Sequence, residues 1–154
     1  MTLQYRKGNL LDAFANGDVN IIAHQCNCFN TMGSGIAPQI ARRWPTVQEA
    51  DDATIPGEKA KLGKFTHAWV EDGVVFNLYG QFYYGRKAGG DTDYVALGES
   101  LRRMKEWIDN HYVADIPLIG FPKIGCGLGG GDWEIVSKMI EYVFHDNTVF
   151  VYEL

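Results

Sequence analysis

Lys123-Ile124-Gly125-Cys126-Gly127-Leu128-Gly129-Gly130-Gly131-Asp132-Trp133 places five glycines within eleven residues. An apolar run, residues 117–121, precedes it and reads as a strand. After it Val136, Met139, Ile140 and Val143 recur at helical spacing. Glycine tolerates positive φ and lets another group approach the main chain. The first N–H groups of a helix have no intrahelical partner and carry its positive dipole end. A strand, a glycine loop and a helix in that order can therefore hold an anion by backbone alone. The competing reading is a tight turn with no ligand.

The same arrangement occurs once more upstream. Residues 19–24, VNIIAH, form a β-branched apolar run that reads as a buried strand. It enters a polar loop, residues 25–35, that ends in Met32-Gly33-Ser34-Gly35-Ile36. Ile36, Ala37, Ile40, Ala41 and Trp44 then share one helical face, and Pro45 ends that helix. Two such loops on one edge of a sheet would make a two-sided cradle for a diphosphate. Other phosphate templates are absent: there is no G-x-x-x-x-G-K-[ST], and the first strand-to-helix turn lacks G-x-G-x-x-G.

Residues 2–6 read as a short strand, and Gly8-Asn9 opens a short helix over 10–14. Residues 64–70 and 74–78 flank Glu71-Asp72-Gly73, a hairpin signal. Tyr94, Leu97, Leu101, Met104 and Ile108 mark a long amphipathic helix, and residues 148–152 a last strand. The order β-α-β-α-β-β-α-β-α-β implies a mixed, mostly parallel sheet of about six strands with helices on both faces, a three-layer α/β/α fold. Ligands of such sheets lie outside the carboxyl ends of the strands.

The chain has 154 residues, 46% hydrophobic and 21% charged, which suits one globular domain spanning 1–154. A net charge of -5, with no basic stripe, argues against binding a nucleic-acid polymer but not against a small anion. No segment reads as a signal peptide or a membrane span, so no membrane partner is expected. Three cysteines read as reduced thiols of a cytoplasmic protein. His24-x-Cys26-x-Cys28 lacks the second ligand pair of a structural zinc site, so no metal and no cofactor are expected.

Lys7-Gly8-Asn9-Leu10, His24-Gln25-Cys26-Asn27-Cys28 with Met32-Gly33-Ser34-Gly35-Ile36-Ala37, and the segment from Lys123 to Trp133 together resemble the macrodomain family. The resemblance covers nearly the whole chain, including the ending Val151-Tyr152-Glu153-Leu154. It is nearest the ADP-ribose-1″-phosphate phosphatase-like branch, related to the DNA ADP-ribosyl glycohydrolase antitoxins and terminal ADP-ribose glycohydrolase. It implies binding of ADP-ribose or ADP-ribose-1″-phosphate, or action on an ADP-ribosylated macromolecule. It implies ligand contacts at Asn9, Leu10, Gly33, Ser34, Gly35, Ile36, Tyr84, Gly125, Cys126, Gly127, Leu128, Gly129 and Tyr152.

Asn9 stands where the family carries an acidic residue that accepts from the adenine amino group. Its neutral carbonyl can also accept, and it can equally be a helix N-cap. Asn27 matches the family asparagine near the distal ribose; it can also bond its own loop. In the related glycohydrolases a catalytic lysine stands at the position of Gln81. Lysine can attack an anomeric carbon and glutamine cannot, so the resemblance implies phosphate hydrolysis, lysine-independent removal of ADP-ribose, or binding without turnover. Gln81, Tyr83 and Tyr84 either line the distal end of the cleft or form a surface loop. For activating water the candidates are His24, at a strand end, and Asp132, which can instead cap the helix that follows. Cys126 between glycines reads as a packed thiol, not a nucleophile.

Overall fold

The computed structural model describes residues 3–84 and 91–154; Thr2, the first residue of the expected opening strand, lies outside them. Among the described residues the strands are β1 (Gln4–Lys7), β2 (Ile21–Cys26), β3 (Phe65–Val70), β4 (Gly73–Tyr79), β5 (Leu118–Phe121) and β6 (Thr148–Glu153). The helices are α1 (Leu10–Ala15), α2 (Ala37–Arg43), α3 (Pro45–Asp52), α4 (Tyr94–His111) and α5 (Trp133–Val143), with a 3-10 turn at Lys59–Lys61. The strands form one sheet in the order β1-β6-β5-β2-β4-β3. Every neighbouring pair is parallel except the β3–β4 hairpin.

Alternation along the strands divides the core. Ile21, Ala23, Val74, Phe76 and Leu78 face α4 and α5, where they meet Leu97, Leu101, Met104, Val136 and Ile140. Ile22, Val75, Phe150 and Tyr152 face α1, α2 and α3, where they meet Leu11, Phe14, Ile40 and Val47. The sheet is thus sandwiched, which is why its inner strands are apolar without a polar side. The three-layer expectation holds.

One element departs from the sequence reading. Pro45 does end α2, but it also starts α3 at once. Trp44, at φ -135 and ψ 82, is forced out of the helical region by the following proline, and Pro45 occupies the first turn of α3. The segment Thr46–Asp52 offered little apolar period, since its buried positions are Val47 and Asp51, one apolar and one charged.

The α4 face carries much of the packing. Leu101 is fully buried at its centre. Leu101→Ala should cost about 2–5 kcal/mol, the usual range for a buried leucine truncation, read as a lowered midpoint in denaturant unfolding with an unchanged m-value.

Candidate functional site

β2 and β5 are neighbours, yet they pair only at Ile21↔Ile119 and Ile22↔Gly120. β2 runs on to Cys26 against β4, while β5 stops at Phe121. The chain leaving β2 crosses to α2 on one face of the sheet, and the chain leaving β5 crosses to α5 on the other. Neighbouring parallel strands whose connections leave to opposite faces open a crevice at their carboxyl ends. A cleft of about 250 Å³ lies there.

One wall is the first glycine loop, with Asn27, Thr31, Met32, Ser34, Gly35, Ile36 and Ala37; the other is Pro122 to Gly125 with Gly127, Leu128 and Gly129. Of the sequence-derived contacts, the cleft brings together Ser34, Gly35, Ile36, Tyr84, Gly125, Gly127, Leu128 and Gly129, with Asn27, His24 and Gln81. Asn9, Leu10, Gly33, Cys126, Asp132 and Tyr152 are not among its lining residues. Gln25, Cys26, Thr31, Met32, Pro122, Lys123 and Ile124 line it as well. Gln25 was legible in principle: it sits between His24 and Asn27 at the strand end.

Among the described residues, the backbone N–H groups of Gly127, Leu128 and Gly129 have no hydrogen-bond acceptor. Those of Ser34, Gly35 and Ile36 on the opposite wall have none either, and no side chain caps α2. Each run is a set of successive donors held by a turn, the arrangement that favours an anion. Gly35 sits at φ +66, a conformation that L side chains rarely adopt. At Gly127 an added Cβ would meet no protein atom within 4 Å.

The polar side chains are largely engaged. Asn9 caps α1, its Oδ1 accepting from Leu11 N at 2.9 Å and Asp12 N at 3.1 Å. Asn27 Oδ1 accepts from Phe29 N at 2.8 Å, and its Nδ2 donates to the Thr31 carbonyl at 2.9 Å. One N–H and one lone pair of that amide remain for a ligand. Asp132 caps α5 through Glu134 N at 2.9 Å. Gln81 accepts from Gln25 Nε2 at 2.8 Å and donates to the Tyr83 carbonyl at 2.8 Å.

His24 is buried and bonded to Asn77 Oδ1 at 2.6 Å. Asn77 Nδ2 donates to the Val47 carbonyl and to Thr66 Oγ1, both at 3.0 Å, which turns its Oδ1 toward His24. The His24 proton therefore sits on Nε2. Burial holds its pKa down at about 4, against the opposing effect of the Asn77 bond. Burial also raises the thiols of Cys26 and, to about 11, of Cys28. Cys28 Sγ lies 3.6 Å from the Gln81 carbonyl, not beside His24. Among the described residues no three His, Cys, Asp or Glu side chains converge as metal ligands. None of the described helices is long and apolar enough to cross a membrane.

No family model matches the chain. It is 36% identical over 146 residues to an uncharacterized 17.5 kDa protein from the tk-vs intergenic region of enterobacteria phage T4, across 92% of this chain and 89% of that protein. It is 30% identical over 154 residues to the human ADP-ribose glycohydrolase OARD1, across 99% of this chain and 91% of that enzyme. An ADP-ribose 1″-phosphate phosphatase of Debaryomyces hansenii is 25% identical over 167 residues, across 90% of this chain and 92% of that enzyme. Among solved structures, the macrodomain of Mycobacterium tuberculosis DarG superposes with a TM-score of 0.78 at 24% identity, across 99% of this chain and 98% of that one. The fold, the crevice and these relatives agree: the chain belongs to the macrodomain family. The characterised relatives named here are an ADP-ribose glycohydrolase and a phosphatase of ADP-ribose 1″-phosphate.

Two outcomes follow from the geometry. Gly127→Val should remove binding of a cleft ligand while melting close to wild type, because its side chain enters space that no protein atom fills. Unchanged affinity measured by calorimetry would move the ligand elsewhere. His24, with a folded pKa near 4 against 6.5 unfolded, takes up its proton more readily in the unfolded chain. Its contribution is fully present above pH 6.5 and is lost as pH falls from 6.5 toward 4. His24→Gln should flatten that part of a stability–pH curve.

Proposed function

We propose that this chain binds ADP-ribose in the crevice and hydrolyses ADP-ribose-1″-phosphate to ADP-ribose and phosphate. The observation that carries the reading is the pair of N–H runs without acceptors among the described residues, Ser34 to Ile36 and Gly127 to Gly129, on opposite walls of one cleft. A diphosphate between them would meet donors from both sides, and neither run needs a cationic side chain. A cytoplasmic protein of one domain, acting without metal or cofactor, fits this reading.

The residue at the distal end decides among the reactions. Gln81 occupies the position where related glycohydrolases carry lysine, and its amide is engaged by Gln25 and the Tyr83 carbonyl. It offers no nucleophile for an anomeric carbon. Water attack on phosphorus needs no covalent step on the protein: water adds to the phosphorus, the bond from phosphorus to the 1″ oxygen breaks, a proton of the water passes to that departing oxygen, and backbone donors stabilise the charge. The spare N–H and lone pair of Asn27 support a role for it in orienting that water.

A second reading is binding without turnover. It rests on the two candidate bases. His24 is protonated at Nε2 and weakly basic, and Asp132 is engaged as the α5 cap outside the cleft lining. Lysine-independent release of ADP-ribose from a modified macromolecule is a third outcome of the same assay.

Calorimetry with ADP-ribose and AMP, paired with phosphate release from ADP-ribose-1″-phosphate, separates these. ADP-ribose should bind more tightly than AMP, and phosphate should appear. Equal affinity for the two would overturn recognition of a diphosphate and distal ribose. Binding without phosphate release would select the second reading. Asn27→Ala should lower turnover at saturation more than it lowers affinity, since a water-orienting bond acts in the transition state. A loss confined to affinity, about 0.5–1.5 kcal/mol for one neutral hydrogen bond, would make Asn27 a ligand contact only.

A further inference from the structure

The second glycine loop wraps a polar pair from elsewhere in the chain. Thr92, just before α4, donates its single hydroxyl proton to the Gly125 carbonyl at 2.6 Å. With that proton committed, Thr92 Oγ1 can only accept from Gln25 Nε2, which stands 3.0 Å away. The same Nε2 donates to Gln81 Oε1 at 2.8 Å. Thr92 N also donates to the Gly129 carbonyl at 2.8 Å, and Asp93 N to the Gly80 carbonyl at 2.7 Å. Three segments therefore meet on one cluster: the end of β2 at Gln25, the stretch after β4 at Gly80 and Gln81, and the second glycine loop.

The glycines around this cluster leave no room for side chains. A Cβ at Gly129 would stand 2.6 Å from Thr92 Oγ1 and 3.0 Å from Gln25 Nε2. A Cβ at Gly80 would stand 2.3 Å from Gln25 Oε1. Gly127 is the contrast, open toward the cleft. The glycine-rich loop thus has two kinds of glycine. One kind admits a ligand, and the other admits the protein's own strut.

We propose that Thr92 is a positioning residue: through Gly125 on one side and Gln25 on the other, it sets the distance between the second glycine loop and the Gln25–Gln81 floor of the cleft. Thr92 does not line the cleft itself. The proposal rests on the reading of the crevice as an ADP-ribose site, but its geometry can be tested without that ligand. A hydroxyl tolerates a carbonyl oxygen at 2.6 Å because a proton lies between them. A methyl group in its place needs roughly 3.3 Å, so Thr92→Val pushes the Gly125 turn outward by about 0.7 Å. The backbone bond from Thr92 N to Gly129 survives the substitution, so the fold is retained. Thr92→Ser keeps the hydroxyl and the short contact.

The experiment compares wild type, T92V and T92S in three measurements: thermal melting, amide hydrogen exchange at residues 125–131, and calorimetry with ADP-ribose. T92V should melt within a few degrees of wild type, exchange faster at 125–131, and bind ADP-ribose about tenfold more weakly, about 1.4 kcal/mol. T92S should match wild type in all three. Wild-type exchange in T92V, or equal defects in T92S and T92V, would overturn the proposal. If wild type fails to bind ADP-ribose while T92V alone shows faster exchange, the strut stands and the proposed ligand falls. If T92V exchanges faster yet binds ADP-ribose like wild type, the strut has no bearing on the site and the proposal falls while the ligand reading stands.

Discussion

β2 and β5 share two register positions and then part. Everything at the site descends from that divergence. The chain after β2 crosses to the face of α2, and the chain after β5 crosses to the face of α5, so neither loop can lie flat over the sheet. Each must arch over the carboxyl end of its own strand, and the gap between the arches is the cleft. The apolar sandwich makes the divergence rigid: Ile21, Ala23 and Ile119 on one face and Ile22 and Val75 on the other are fully buried or nearly so. Separation of the walls is thus set by packed strands, while the loops supply only donors.

Beneath the floor lies a polar layer that is unusual for an apolar sheet. His24, Asn77, Thr66, Tyr79 and Asp51 form a hydrogen-bonded series on the α3 side. Buried Lys61 donates to Asn30 Oδ1 at 2.7 Å and to Thr54 Oγ1 at 2.8 Å, and Thr54 Oγ1 in turn donates to the Asp51 carbonyl at 2.6 Å. Asn30 holds φ 57 and stands next to Thr31 of the first wall. A buried ammonium is tolerated only with such partners, and here the partners tie the first wall to the end of α3. Both loops are therefore anchored by partly buried polar bonds, the first through Lys61 and the second through Thr92.

The cleft is lined mainly by neutral groups. His24 is held uncharged by burial, Asn27 and Gln81 are amides, and the donors left open among the described residues are backbone N–H groups. Lys123 lines the cleft but pairs with Glu153 at 2.7 Å. A net charge of -5 is compatible with the proposed binding of an anion: fixed dipoles in a crevice need no excess of cationic side chains.

The sequence by itself determined the layers, the strand–glycine loop–helix units and the position of the crevice. Those rest on periods of 2 and 3.6 and on glycine runs, which are local properties of the chain. It also marked Ser34 to Ile36 and Gly125 to Gly129, because glycine density is visible without contacts. It did not separate capping from ligand contact at Asn9, or capping from catalysis at Asp132, since these roles call for the same residue types. It missed α3, whose buried Asp51 breaks the apolar period. Only the tertiary structure decided which glycines face the cleft and which make room for Thr92, and which way the His24 and Gln25 side chains point. Those outcomes depend on partners 33 to 67 positions away in the chain, and no local pattern records a contact at that range.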